Sequence, residues 1–197
     1  MPFWDSPLDI FGKRDIDDVA PVREYAMADL LIRIKKKSDG SAALTCERAD
    51  GSVTWQRQDG QLGAFFPLHD LTHYAVERVL DLPRAFYGLL AEGWDLSDFG
   101  KPWVKGQLPE DAHVAELIVG FFDLERATGF LGTAEEFNDK LRAWFADNKR
   151  TIPEFRMSDE QLAQIREERA AAFARWKGLS PGETLEIPFE RRAQPTT

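Results

Sequence analysis

Two Asp-Gly pairs, Asp39-Gly40 and Asp50-Gly51, most narrow what this chain can fold into. They interrupt the stretch LLIRIKKKSDGSAALTCERADGSVTWQRQDG at residues 30–60, which otherwise reads as short alternating segments. Asp-Gly between alternating runs is a strong hairpin signal, because glycine accepts the positive φ that such turns require. The two turns predict a three-stranded antiparallel meander from about Asp29 to Gln58. Leu30, Ile32 and Ile34 fall on one face, and Leu44 and Cys46, then Val53 and Trp55, offer matching rows. The basic run Arg33 to Lys37 reads as a solvated edge, since edge lysines discourage sheet-to-sheet pairing.

After Gly63 the periodicity turns helical. Pro67 suits a first helical turn, where its missing N–H costs nothing, and that helix runs to about Leu80. Pro83 opens a second helix and Pro109 or Glu110 a third. Thr133 to Glu136 (TAEE) and Ser158 to Gln161 (SDEQ) have the capping-box form and open two more. The last helix should dock on its own chain through Leu162, Ile165, Phe173 and Trp176, although Arg169 interrupts that stripe. Leu185 to Phe189 then offers a short strand. Strands first and helices afterwards predict an α+β fold, the meander being covered by a helical C-terminal two-thirds. With 197 residues, 43% of them hydrophobic, one core suffices for a domain over residues 29–197, preceded by an arm over residues 1–28. Phe3, Trp4, Ile10 and Phe11 are the docking residues of that arm.

Charge and composition exclude several classes. A net charge of −9 argues against nucleic-acid binding, which needs phosphate-neutralising surface. Apolar runs are short and broken by charge, so no membrane span is expected. The opening MPFWDSPLDIFGKRDIDD lacks a basic segment followed by an apolar one and does not read as a secretory signal, which makes a cytoplasmic location the simplest expectation. The single cysteine, Cys46, excludes an internal disulfide and a multi-cysteine zinc site. No glycine-rich phosphate loop and no G-x-S-x-G elbow is present. Trp94, Phe99 and Trp103 around Asp95 and Asp98 either rim a ligand pocket or pack their loop onto the body.

The chemistry concentrates in FFPLHDLTHYAVERVLD, residues 65–81, which holds two of the chain's 3 histidines. At about 100° per residue, His69, His73, Glu77 and Asp70 share one arc beside the buried stripe of Leu71, Ala75, Val76, Val79 and Leu80. Histidines at i and i+4 on one helical face can ligate one divalent ion, zinc being the first expectation. A further ligand is needed: Glu77 locally, or His113, or Glu116 at i+3 from it, with Gly120 allowing the two helices to approach. Asp70 and Glu77 are the candidate catalytic carboxylates, Asp70 orienting a histidine or acting as a base.

FPLHDLTHYAVE resembles the signature of a bacterial protein family to which no activity is attached. That resemblance covers roughly residues 29 to 100, including the Asp-Gly hairpins and GLLAEGWD. HDLTH is also similar to the zinc-binding H-D-x-x-H of the ubiquinone-biosynthesis protein family, in which a glutamate follows after eleven intervening residues. Ala85 stands at that position here. The likeness implies metal ligation by His69, His73 and Asp70, without the quinone chemistry.

Two readings stay open. One is a small metal-dependent hydrolase or lyase acting on a small molecule. The other is a non-catalytic interaction protein, a homo-oligomer among the options, whose acidic surface and C-terminal helix engage a partner.

Overall fold

The computed structural model describes residues 28–100 and 105–191. Residues 1–27 of the arm, with its four docking residues, and Trp103 lie outside the described residues. Three strands, β1 (Leu30–Lys36), β2 (Ala42–Arg48) and β3 (Val53–Gln58), form the antiparallel meander. Both turns use the same local grammar. Asp39 accepts a hydrogen bond from the Ser41 backbone N–H at 3.0 Å and Asp50 one from Ser52 at 2.9 Å. Gly40 and Gly51 adopt φ of 82° and 81°, values that an L side chain rarely takes.

The helices are α1 (Phe66–Leu80), α2 (Phe86–Ala91), α3 (Glu110–Thr128), α4 (Ala134–Asp147) and α5 (Asp159–Gly178). The chain is α+β, and the helices follow the meander as its pattern predicts. Both capping boxes form: Thr133 and Glu136 at the start of α4, Ser158 and Gln161 at the start of α5, each bonding the other's backbone N–H. After α5, β4 (Thr184–Phe189) returns to pair antiparallel with β1.

That return makes the sheet order β3-β2-β1-β4, so β1 is interior and its basic residues do not mark an edge. Arg33 is instead held between Glu47 and Glu186 on the neighbouring strands. Lys36 donates from Nζ to the Leu179 carbonyl at 2.8 Å, tying β1 to the end of α5.

The register of β3 also differs from the hydrophobic reading. Val53 and Trp55 point outward, 50% and 36% exposed, while Thr54 and Gln58 are buried opposite Cys46 and Ala42. The inward positions of β3 carry polar groups with specific partners. Thr54 Oγ1 accepts from the Leu96 N–H, and Gln58 serves a buried carboxylate described below.

One core lies between the sheet and α1, α2 and α5, with Leu30, Ile32, Ile34, Leu44, Tyr87 and Trp176 among its residues. A second lies among α1, α3, α4 and α5, around Ile118, Phe122, Phe137 and Ile165. Burying such side chains contributes about 1.5–3 kcal/mol each. Trp176 is buried, so α5 docks on its own chain, and Arg169 fits the stripe because Phe122 and Phe173 stack against its guanidinium. Trp94 and Phe99 are buried with ring centroids 5.5 Å apart, packing their loop onto the body. Cys46 is buried, and burial pushes its thiol well up, which leaves it inert.

Candidate metal centre

α1 spans both cores, so its face toward α3 is shut off from water. His69 and His73 lie one turn apart on that face, with Glu116 and Asp123 two turns apart on α3. The four come together because α1 and α3 pack side by side.

His73 is bracketed by carboxylates. Its Nε2 is 3.2 Å from Glu116 Oε2, and its Nδ1 is 3.4 Å from Glu77 Oε1. His69 is held from the other end of α3: its Nδ1 lies 2.7 Å from Asp123 Oδ2. The two imidazole rings are 4.9 Å apart and inclined by 71°. His69, His73 and Glu116 are 4%, 3% and 5% exposed, and one donor atom from each falls within 4.8 Å of the others. This is a buried His-His-Glu group able to hold a metal ion.

Two bonds of about 2.1 Å meeting at roughly 90–110° place their donor atoms about 3.0–3.4 Å apart. The 3.2 Å between His73 Nε2 and Glu116 Oε2 already has that spacing. His69 has to close in by at most roughly 1.8 Å from the 4.8 Å limit.

The remaining carboxylates sit where they orient the ligands. A carboxylate on Nδ1 fixes the imidazole tautomer and makes Nε2 the ligand atom, the usual arrangement around metal-bound histidine. Asp123 does this for His69, while Glu77 approaches His73 Nδ1 to 3.4 Å without hydrogen-bond alignment. Glu77, a candidate ligand by sequence, therefore faces the opposite ring nitrogen from Glu116. Its other oxygen accepts from the backbone N–H groups of Tyr87 and Gly88 at 2.9 and 3.3 Å. Gly88 is required there: a Cβ would lie 1.9 Å from the Pro83 carbonyl oxygen.

Asp70 turns away from α3. Its carboxylate accepts from the Gln58 side-chain amide of β3, and its backbone carbonyl accepts from the Tyr87 hydroxyl at 3.2 Å. His113 stands apart from the three-residue group and stacks on Trp144, ring centroids 5.8 Å apart. Gly120 is exposed with open space around its Cβ direction, so it brokers no close helix contact.

The electrostatics follow from this packing. Burial disfavours the His73 imidazolium, but the hydrogen bond to Glu116, the close approach of Glu77 and the charges of both outweigh it and hold the ring at about 10. Burial pushes the Glu77 carboxyl up, opposed by His73 and the two backbone amides. Burial likewise raises Asp70, against the pull of His69 and Gln58. Asp123 stays below the usual carboxylate range because His69 and Arg126 outweigh its burial. His113 drops to about 4, through burial and then the charge of Arg150. The centre thus gathers carboxylates around His73, which favours a positive charge there.

Asp123 was not among the sequence candidates. The signal was present, since Glu116 and Asp123 are seven residues apart and so share a helical face. Gln58 had no such signal, because it depends on the register of β3.

Comparison of the chain with protein-family models, with curated proteins and with solved structures found no match in any of the three.

Proposed function

We propose that the protein binds one divalent metal ion between α1 and α3, through His69, His73 and Glu116. The observation that carries this reading is the buried donor group itself, one atom each of His69, His73 and Glu116 within 4.8 Å of the others, with Asp123 bonded to His69 Nδ1. Two histidines and one carboxylate form a donor set used by zinc and by ferrous iron, and zinc is our first assignment. The similarity of HDLTH to zinc-binding H-D-x-x-H motifs supports it.

Three protein ligands leave a fourth position for water, and such an ion supplies an activated hydroxide or polarises a bound oxygen. On this reading the protein is a small metal-dependent hydrolase or lyase. Glu116 holds the ion and Glu77 and Asp123 position the histidines, while the Asp70 carboxylate, bonded to Gln58 on β3, ties α1 to the sheet. The burial of all three ligands favours a second reading, a closed structural ion in a non-catalytic interaction protein.

Metal content of untagged protein tests the first step: one ion per chain is expected, and its loss in H69A and H73A. Protein that takes up no zinc and gains no thermal stability from it would overturn the proposal. Cobalt substitution separates the two readings. A visible spectrum that changes on adding azide reports an open position, and one that does not change reports a closed structural site.

A further inference from the structure

Beyond the metal centre, α3 and α5 flank an open, solvent-facing cavity of about 340 Å³ lined by Glu125, Arg126, Arg166, Arg169 and Phe173. We propose that this cavity binds a small oxyanion, a carboxylate or phosphate group, on Arg169 and Arg126 beside the metal centre. Its position relative to the ion rests on the metal reading; the anion site itself does not.

The arginines differ in how fully they are used. Arg166 is committed to the scaffold: it bonds Glu125 Oε1 at 2.5 Å and the Gly132 carbonyl at 2.6 Å. Arg126 bonds Asp123 at 3.0 Å and lies over the Phe65 ring. Arg169 is mostly buried, its side chain 14% exposed, yet among the described residues its guanidinium makes no hydrogen bond within normal length. Its ion-pair contact is Glu125 Oε2 at 3.9 Å. Five N–H donors in a fixed fork are therefore held between Phe122 and Phe173 at the cavity wall.

Counting charges gives the sign of the ligand. Three arginines face two carboxylates: Glu125 pairs with Arg166, with Arg169 farther off at 3.9 Å, and Asp123 pairs with Arg126. Arg169 is left as surplus positive charge, and its guanidinium stays protonated because arginine is not deprotonated in proteins. Burying a guanidinium with unused donors is costly, and a planar oxyanion satisfies two at once. The cavity also lies next to the centre: Arg126 touches the same Asp123 carboxylate that holds His69. An acidic group anchored there would bring the rest of a small molecule toward α1.

The test is calorimetric titration of inorganic phosphate, and separately of malonate, into the full chain, once after EDTA treatment and once loaded with zinc and freed of excess metal. We expect saturable binding of at least one probe in both forms, weakened at least tenfold in R169Q. In R169K, which keeps the charge but loses the fork, binding is weakened to an intermediate degree. R126Q leaves Arg169 between its two rings and should weaken binding severalfold with the near-ultraviolet circular dichroism unchanged, which covers the case of R169Q failing to fold. Phosphate alone, malonate alone, or both would each support the site and name its ligand chemistry. No saturable binding overturns it. So does binding seen only in the zinc-loaded chain and unaffected by R126Q and R169Q, because the anion would then sit on the metal. Zinc uptake measured on the same samples reports the metal reading independently.

Discussion

Asp123 on α3 reaches across to His69 on α1, its Oδ2 2.7 Å from the ring Nδ1, and so engages one of the two ring nitrogens. Removing an outer partner of this kind costs 10–100-fold in metal affinity. D123N should therefore weaken zinc binding by about that factor, whereas H69A should abolish it. A chelator-competition titration on the two variants and the parent measures both. Equal affinities for D123N and the parent would show that Asp123 does not act on the centre.

Metal uptake should depend steeply on pH. In the metal-free protein the His73 imidazolium is held by Glu116 and Glu77 up to about pH 10, and the ion has to displace that proton. Below that pH each unit of rise removes a tenfold proton penalty, so apparent affinity should climb about tenfold per unit between roughly pH 6 and 8. Titration in buffers of different ionisation enthalpy should show about one proton released per ion at pH 7. In E77Q the ring loses one of the charges that hold its proton while Glu116 stays as ligand, and proton release should fall.

The same group makes the metal-free fold sensitive to base. The folded pKa of His73, about 10, lies above the ordinary 6.5, so its stabilising contribution is complete below about pH 6.5. It is lost progressively as pH rises from there through about 10. Urea midpoints of the zinc-free protein should fall across this window, while those of the zinc-loaded protein stay flatter. Parallel curves for the two forms would mean that His73 is not the group the ion replaces.

What could be read from the sequence depended on range. The meander was legible because its turns are local: Asp39-Gly40 and Asp50-Gly51 decide their own geometry within four residues. The capping boxes at Thr133 and Ser158 were legible for the same reason. The register of β3 was not, because Val53 and Trp55 look like inward residues until Gln58 is needed for Asp70, a partner on another element. The interior position of β1 was hidden too, since β4 joins it from the far end of the chain. In the centre, His69 and His73 could be paired by helical spacing alone. The choice of Glu116 over His113 depended on how α3 is rotated against α1, and Trp144 of α4 settles that rotation by taking up the His113 ring.

Two glycines on neighbouring elements should respond to alanine in opposite directions. At Gly88 a Cβ would stand 1.9 Å from the Pro83 carbonyl oxygen, a contact that backbone must move to relieve. Moving it would draw the Tyr87 and Gly88 N–H groups off Glu77, leaving a buried carboxylate with less support next to His73. Overpacking and a weakened buried acceptor together suggest a loss of about 3 kcal/mol for G88A. Gly120 lies mid-way along α3, exposed, with nothing within 4 Å of its Cβ direction. Alanine there removes only backbone freedom from the unfolded chain, so G120A should gain about 0.5–1 kcal/mol. Urea unfolding of both variants checks the pair, and zinc titration adds a second reading. G88A should also lose zinc affinity because Glu77 no longer steadies His73, and G120A should keep it. A G88A protein as stable as the parent would mean that the approach of α2 to Pro83 does not support the centre.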